Sequence, residues 1–74
     1  MEELAYIPRT AQLYEAEYRA GAASAQATIN SAGRDLAVRH FNVKAPYLNG
    51  WTESRILSYW TGYRDVLETG GPLI

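Results

Sequence analysis

The segment from Trp51 to Thr69, WTESRILSYWTGYRDVLET, carries the clearest structural signal in this chain. At about 100° per residue, its apolar residues fall on one side of a helix and its polar residues on the other. The apolar side holds Ile56, Tyr59, Trp60, Tyr63, Val66 and Leu67, and the polar side holds Glu53, Ser54, Ser58, Thr61, Asp65 and Glu68. Thr52 is a typical N-cap, and Gly70 followed by Gly71 and Pro72 is typical of a helix end. The segment predicts an amphipathic helix over residues 52–68, against which the rest of the chain packs.

A second helical pattern covers residues 10–30. Its apolar positions form two neighbouring rows, which we expect to make one broad face. One row holds Leu13, Ala16, Ala20, Ala23 and Ala27, and the other holds Tyr14, Tyr18, Gly21, Ala25 and Ile29. The small residues from Gly21 to Ala25 would allow another backbone, or a large ring such as Trp60, to approach closely. The alternative is that the alanines are present as good helix formers.

The middle of the chain predicts a break, a short helix and a loop. Asn30, Ser31 and Gly33 are poor helix-interior residues, so we expect a break there. A shorter helix over residues 32–41 then places Leu36, Ala37 and either Phe41 or His40 on one face, and Asn42 ends it. In the loop over residues 42–51, Pro46 biases Ala45 away from helix and Asn49-Gly50 supplies turn chemistry.

These segments predict one all-α domain over residues 1–74. It would be a small bundle of two long helices plus a short one, joined by the Pro-Tyr/Asn-Gly loop. Residues 1–9 would form an arm and residues 69–74 a tail. With 74 residues, the core supplies only about 3–5 kcal/mol, so a homodimer or a large partner is compatible with the chain.

Composition limits the class of protein further. The chain has no cysteine and a formal net charge of −1, which excludes disulfides and thiolate zinc sites and argues against general DNA or RNA binding. No apolar run reaches the roughly 18 residues that a membrane span needs, and acids stand near the start, where a secretory signal carries bases. We expect a soluble cytoplasmic protein that does not interact with membranes.

The sequence offers little that indicates catalysis. His40 is the only histidine, and none of the serines at positions 24, 31, 54 and 58 lies in a nucleophile-elbow motif. The spacing of the carboxylates does not indicate a pair that meets at a cleft, and no glycine-rich phosphate-binding loop precedes a helix. We therefore expect a non-enzymatic protein with no metal or cofactor.

Charge and aromatic residues indicate a partner-binding surface. Basic residues are concentrated near the middle of the chain at Arg34, Arg39, His40 and Lys44, and the aromatic residues Tyr47 and Trp51 follow close behind. Together they could meet an acidic protein surface or a few phosphates. The alternative is that the basic residues simply form a solvated face. Trp60 and Tyr63 are expected in the core.

Three short segments resemble a known family. YRAGAA from Tyr18 to Ala23, APY from Ala45 to Tyr47 and YWTGYRD from Tyr59 to Asp65 are similar, in that order, to segments of ribosome modulation factor and its small phage-encoded relatives. A rival alignment uses Tyr47 to Ser54 for the last segment. The resemblance implies two helices joined by a Pro-Tyr loop, and a protein that binds ribosomes and promotes their inactive dimers.

The function we expect is that of a small non-catalytic modulator or inhibitor that binds a larger protein or ribonucleoprotein assembly. One alternative is a ribosome and RNA binder like ribosome modulation factor. Another is a self-associating structural subunit.

Overall fold

The structure is a computed structural model that describes residues 4–7, 12–45 and 54–69. These residues form three helices, α1 (Glu15–Ala32), α2 (Arg34–Lys44) and α3 (Ser54–Thr69). The most extensive contact joins α1 to α3, and α2 packs against both. The predicted all-α bundle of two long helices and a short one is confirmed. The predicted loop residues from Pro46 onward, the caps around α3 and most of the arm and tail lie outside the described residues.

Helix α3 buries the aromatic face that its sequence predicts. Trp60, Tyr63, Val66 and Leu67 are all buried, and Tyr63 is only 1% exposed. The ring of Phe41, from α2, stacks on Tyr63 at a centroid distance of 6.1 Å and meets Trp60 edge-on at 5.9 Å. The remaining buried hydrophobic residues of this core cluster are Ile7, Ala25, Ala37, Val38 and Ala45.

Two glycines allow α1 and α3 to cross with their backbones in contact. A Cβ atom built on Gly21 would lie 1.7 Å from the carbonyl oxygen of Tyr59. One built on Gly62 would lie 2.0 Å from the carbonyl oxygen of Tyr18. Neither position can hold a side chain without moving a helix. Of the two neighbours expected at the small-residue surface, a backbone or a large ring, the structure places the backbone of α3 against Gly21.

The close crossing makes the buried face of α1 narrower than expected. Gly21 and Ala25 are buried, and the neighbouring positions Tyr14, Tyr18 and Ile29 are half-buried. The other predicted row is exposed, at Leu13, Ala16, Ala20, Ala23 and Ala27. The prediction of one broad buried face was therefore wrong, because helices in backbone contact meet along a single stripe of each cylinder.

Ser58 sets the start of α1. Its hydroxyl donates to the Ser54 carbonyl at 2.7 Å and accepts from the backbone N–H of Tyr14 at 2.9 Å. Tyr14 is extended, with φ −95° and ψ 108°, and α1 begins only at Glu15, later than the predicted residue 10. The placement of Ser58 on the polar side of α3 was also wrong, because the residue is fully buried.

The break between α1 and α2 is confirmed and falls at Gly33. This residue has φ 93° and ψ 160°, a combination that is open almost only to glycine. Its N–H donates to the Ile29 carbonyl at 2.9 Å, which satisfies one of the last carbonyls of α1. The chain can therefore change direction within one residue.

Helix α2 runs further than the sequence predicted. It passes Asn42, the predicted end, and stops at Lys44, with Ala45 still in αR conformation at φ −62° and ψ −48°. Ala45 is 1% exposed, and the Asn42 side chain accepts a hydrogen bond from the N–H of Ala5. Burial of Ala45 and docking of the arm on Asn42 stabilise this extra turn, which outweighs the bias that Pro46 imposes on the residue before it.

Candidate interaction surface

The predicted packed face of α2 is correct for Ala37 and Phe41 and wrong for Leu36. Ala37, Val38 and Phe41 are buried, whereas Leu36 is 49% exposed. The prediction placed Leu36 with Ala37 on the packed face, and this is wrong. The buried row of Ala37, Phe41 and Ala45 has helical spacing, and so do Leu36 and Val43 on the other side, so spacing alone does not decide which row is packed.

The opposite side of α2 combines apolar and basic side chains. Leu36 and Val43, at 49% and 55% exposure, lie two turns apart on one line along the helix. Arg39 lies between them, and His40 and Lys44 border the same side; all three are exposed. We call these five residues the outward α2 face. Neither Arg39 nor Lys44 forms an ion pair with another described residue.

The arm carries an exposed ring. The N–H of Ala5 donates to Asn42 Oδ1 at 2.7 Å, and Ile7 is buried, so residues 4–7 pack against the bundle. Tyr6, between them, is 72% exposed. The sequence did not identify Tyr6, Leu36 and Val43 as surface residues. Tyr6 and Leu36 belong to short apolar runs that are equally compatible with burial, and Val43 is a single apolar residue between Asn42 and Lys44.

His40 lies over the aromatic cluster of the core. Its ring centroid is 5.9 Å from that of Tyr63 and 6.1 Å from that of Trp60, distances typical of aromatic contact. The side chain nevertheless remains exposed. His40 therefore joins the outward α2 face to the core through ring contacts and does not interact with the last carbonyls of its own helix.

Arg34 has a role within the fold. Its guanidinium donates to the Leu67 carbonyl from Nη2 at 2.7 Å and from Nε at 3.2 Å. Leu67 is in the last turn of α3, where carbonyls lack helical partners and a cation is favourable. Of the predicted site residues, Arg39, His40 and Lys44 thus share the exposed side of α2, Arg34 is engaged with α3, and Tyr47 and Trp51 lie outside the described residues.

A groove opens on the other flank of Trp60. It has a volume of about 330 Å³ and is lined by Glu17, Arg55, Ile56, Tyr59 and Trp60. The guanidinium of Arg55 lies over the ring of Tyr14, 5.1 Å from its centroid. The groove is near the lower size limit of small-molecule sites, and it offers one carboxylate beside an apolar floor.

Two tyrosines of the α1–α3 interface have altered acidity. The Tyr18 hydroxyl donates to Asp65, and this hydrogen bond, together with burial and the carboxylate charge, raises the pKa of Tyr18. Burial raises the pKa of Tyr63, whose hydroxyl has no hydrogen-bond partner within the described part of the chain. The Thr28 hydroxyl, close to that of Tyr63, has the opposite and smaller effect on this pKa. Thr28 donates its own hydrogen bond to the Ser24 carbonyl. Both tyrosines therefore contribute to packing between α1 and α3.

The described residues include no group of three or more histidine, aspartate or glutamate side chains that could hold a metal ion. None of the three helices is long and apolar enough to cross a membrane. No family model, curated protein or solved structure matches the chain.

Proposed function

We propose that this chain is a small non-catalytic modulator that binds a larger protein or ribonucleoprotein assembly through the outward α2 face. The observation that carries the proposal is the juxtaposition on one helix of two half-exposed aliphatic side chains and of basic side chains that form no ion pair with other described residues. Interfaces combine an apolar centre with a charged rim in this way. Its setting would be the cytoplasm, in keeping with a chain that has no cysteine.

The energetics suit a moderate interaction. Leu36 and Val43 are each about half exposed, so burying the remainder contributes about 1 kcal/mol per side chain. The basic rim contributes mainly to association rate and to choice of partner. Tyr6 could add the aromatic contact that the sequence led us to expect at Tyr47 and Trp51.

Exposed residues of α1 and the residues before it supply matched controls. We expect Leu36→Ser and Arg39→Glu each to reduce the recovery of a partner from a native lysate, because about 1 kcal/mol of lost interface energy weakens binding several-fold. Leu13→Ser alters a leucine of similar exposure, 53%, and Arg19→Glu alters an exposed arginine of α1, so both should retain the partner. Equal recovery with all four variants would contradict the proposal, as would failure of the wild-type chain to retain any partner.

Arg34 provides a further test of which basic residues bind. Because its guanidinium is engaged with the Leu67 carbonyl, Arg34→Gln should lower the free energy of unfolding by about 1–2 kcal/mol. We expect partner binding by the folded variant to be unchanged. A loss of partner binding without a loss of stability would show that Arg34 belongs to the partner-binding surface.

The non-catalytic part of the proposal predicts stoichiometric action. The effect on the partner should saturate at a fixed ratio of chains and should not grow with time. Turnover at substoichiometric amounts of the chain would contradict it.

The ribosome-binding candidate draws support from the crossing of α1 and α3. Gly21 and Gly62 belong to two of the three segments that resemble ribosome modulation factor, and they meet there. This version predicts co-sedimentation with ribosomes that weakens steeply as salt is added, because phosphate contacts release counterions. Binding that does not change with salt would show that phosphate contacts are not its basis.

A self-associating subunit would instead give a concentration-dependent mass by light scattering.

A further inference from the structure

We infer that the element received by the outward α2 face is an acidic amphipathic helix of a protein partner. The inference rests on the proposed function and specifies the chemistry of the partner. In this arrangement, aliphatic side chains of the partner cover Leu36 and Val43, and carboxylates beside them meet Arg39 and Lys44.

The geometry of the apolar pair favours a helix. Leu36 and Val43 are seven residues apart, which is about 10.5 Å along the axis at 1.5 Å per residue. A partner helix that repeats apolar residues every three to four positions reaches both side chains when it lies along α2. The two residues are aliphatic, so the apolar side chains of a protein partner can cover the centre of this face.

The charges select an acidic partner. Arg39 and Lys44 are exposed and form no ion pair with other described residues. The acidic residue on α2, Asp35, lies in its first turn, next to the positive end of the helix dipole. The whole chain carries a net charge of −1, so this basic surface is local. A short acidic element can meet it without the broad basic field that a polyphosphate backbone requires.

Synthetic peptides of about 18 residues provide the probe. The test peptide is an amphipathic helix with a leucine stripe bordered by glutamates, and the comparison peptide replaces every glutamate by lysine. Binding to the full isotopically labelled chain is followed by backbone amide shifts in NMR. We expect the glutamate peptide to bind at least tenfold more tightly at low salt, with the largest shifts on α2 from Leu36 to Lys44.

Charge reversal supplies the decisive control. The Arg39→Glu/Lys44→Glu double variant should prefer the lysine peptide, whereas Arg19→Glu on α1 should leave the original preference intact. The helical amide pattern of each variant reports that it is folded.

Each other outcome has a defined meaning. Equal affinity for both peptides, no binding of the glutamate peptide, or shifts centred on the groove at Ile56 and Trp60 would overturn the inference. Tighter binding of a single-stranded RNA oligonucleotide than of the glutamate peptide would also overturn it and would favour a phosphate partner. The co-purification comparison of Leu36→Ser with Leu13→Ser tests the proposed function separately, so failure of the inference can be distinguished from failure of the proposed function.

Discussion

Replacing Gly21 by alanine introduces a methyl group where α1 and α3 touch. The new Cβ would lie 1.7 Å from the Tyr59 carbonyl oxygen, whereas ordinary van der Waals contact begins near 3.4 Å. The obstructing atoms are backbone atoms and cannot rotate away, so the helices must separate by roughly 1.5 Å, which loosens a close-packed interior.

The magnitude follows from two opposing contributions. Overpacking a core costs about 1–3 kcal/mol, or more where the neighbour cannot yield. Alanine in place of glycine returns about 1 kcal/mol of helix propensity. Because the obstructing atoms are backbone atoms, the upper end of the overpacking range applies. We therefore expect Gly21→Ala to lower the free energy of unfolding by about 2 kcal/mol, a large part of the roughly 3–5 kcal/mol available to a core of this size.

Urea unfolding followed by circular dichroism measures this difference. Ala23→Gly, at an exposed position of the same helix, calibrates the propensity contribution and should cost about 1 kcal/mol. Gly62→Ala should resemble Gly21→Ala, and the double variant should cost less than the sum, because one separation of the helices accommodates both methyl groups. A Gly21→Ala chain as stable as the wild type would refute the backbone contact.

Three further substitutions test the polar groups of the bundle. Ser58→Ala should cost about 1–3 kcal/mol, because the N–H of Tyr14 loses its acceptor; a neutral result in urea unfolding would contradict this. Tyr63→Phe should be neutral or stabilising by up to about 1 kcal/mol, because it removes a buried hydroxyl that has no hydrogen-bond partner among the described residues. A clear loss of stability in urea unfolding would contradict this. Tyr18→Phe should flatten the alkaline stability profile. The hydrogen bond to Asp65 raises the pKa of Tyr18 above its ordinary value of 10.0, so its contribution is present below pH 10 and is lost as the pH rises through the folded pKa. Parallel profiles for wild type and variant would show that the bond does not stabilise the fold.

The sequence predicted the helices where one apolar row dominated. The row of Trp60, Tyr63 and Leu67 is continuous over two turns, so only one face of α3 could be buried. The break before α2 was equally predictable, because Asn30, Ser31 and Gly33 are all poor residues for a helix interior.

The remaining differences arise where two patterns compete or where a distant contact decides. In α2, Leu36 and Phe41 each belong to a plausible apolar row, and packing chooses between them. The start of α1 depends on Ser58, 44 positions away from Tyr14, and no local signal reports that bond. The sequence predicted the basic residues of the candidate surface, Arg39, His40 and Lys44, because polar side chains stay exposed. It did not predict the aliphatic centre of that surface.

The contact between Ala5 and Asn42 means that the neighbourhood of α2 is assembled from parts of the chain that are remote in sequence. A peptide copied from α2 would carry the same aliphatic and basic groups, yet it would lack the arm that binds Asn42 and the rings that support His40. We therefore expect an excised α2 peptide to be a poor competitor of the whole chain, and recognition by a partner to report that the bundle has folded.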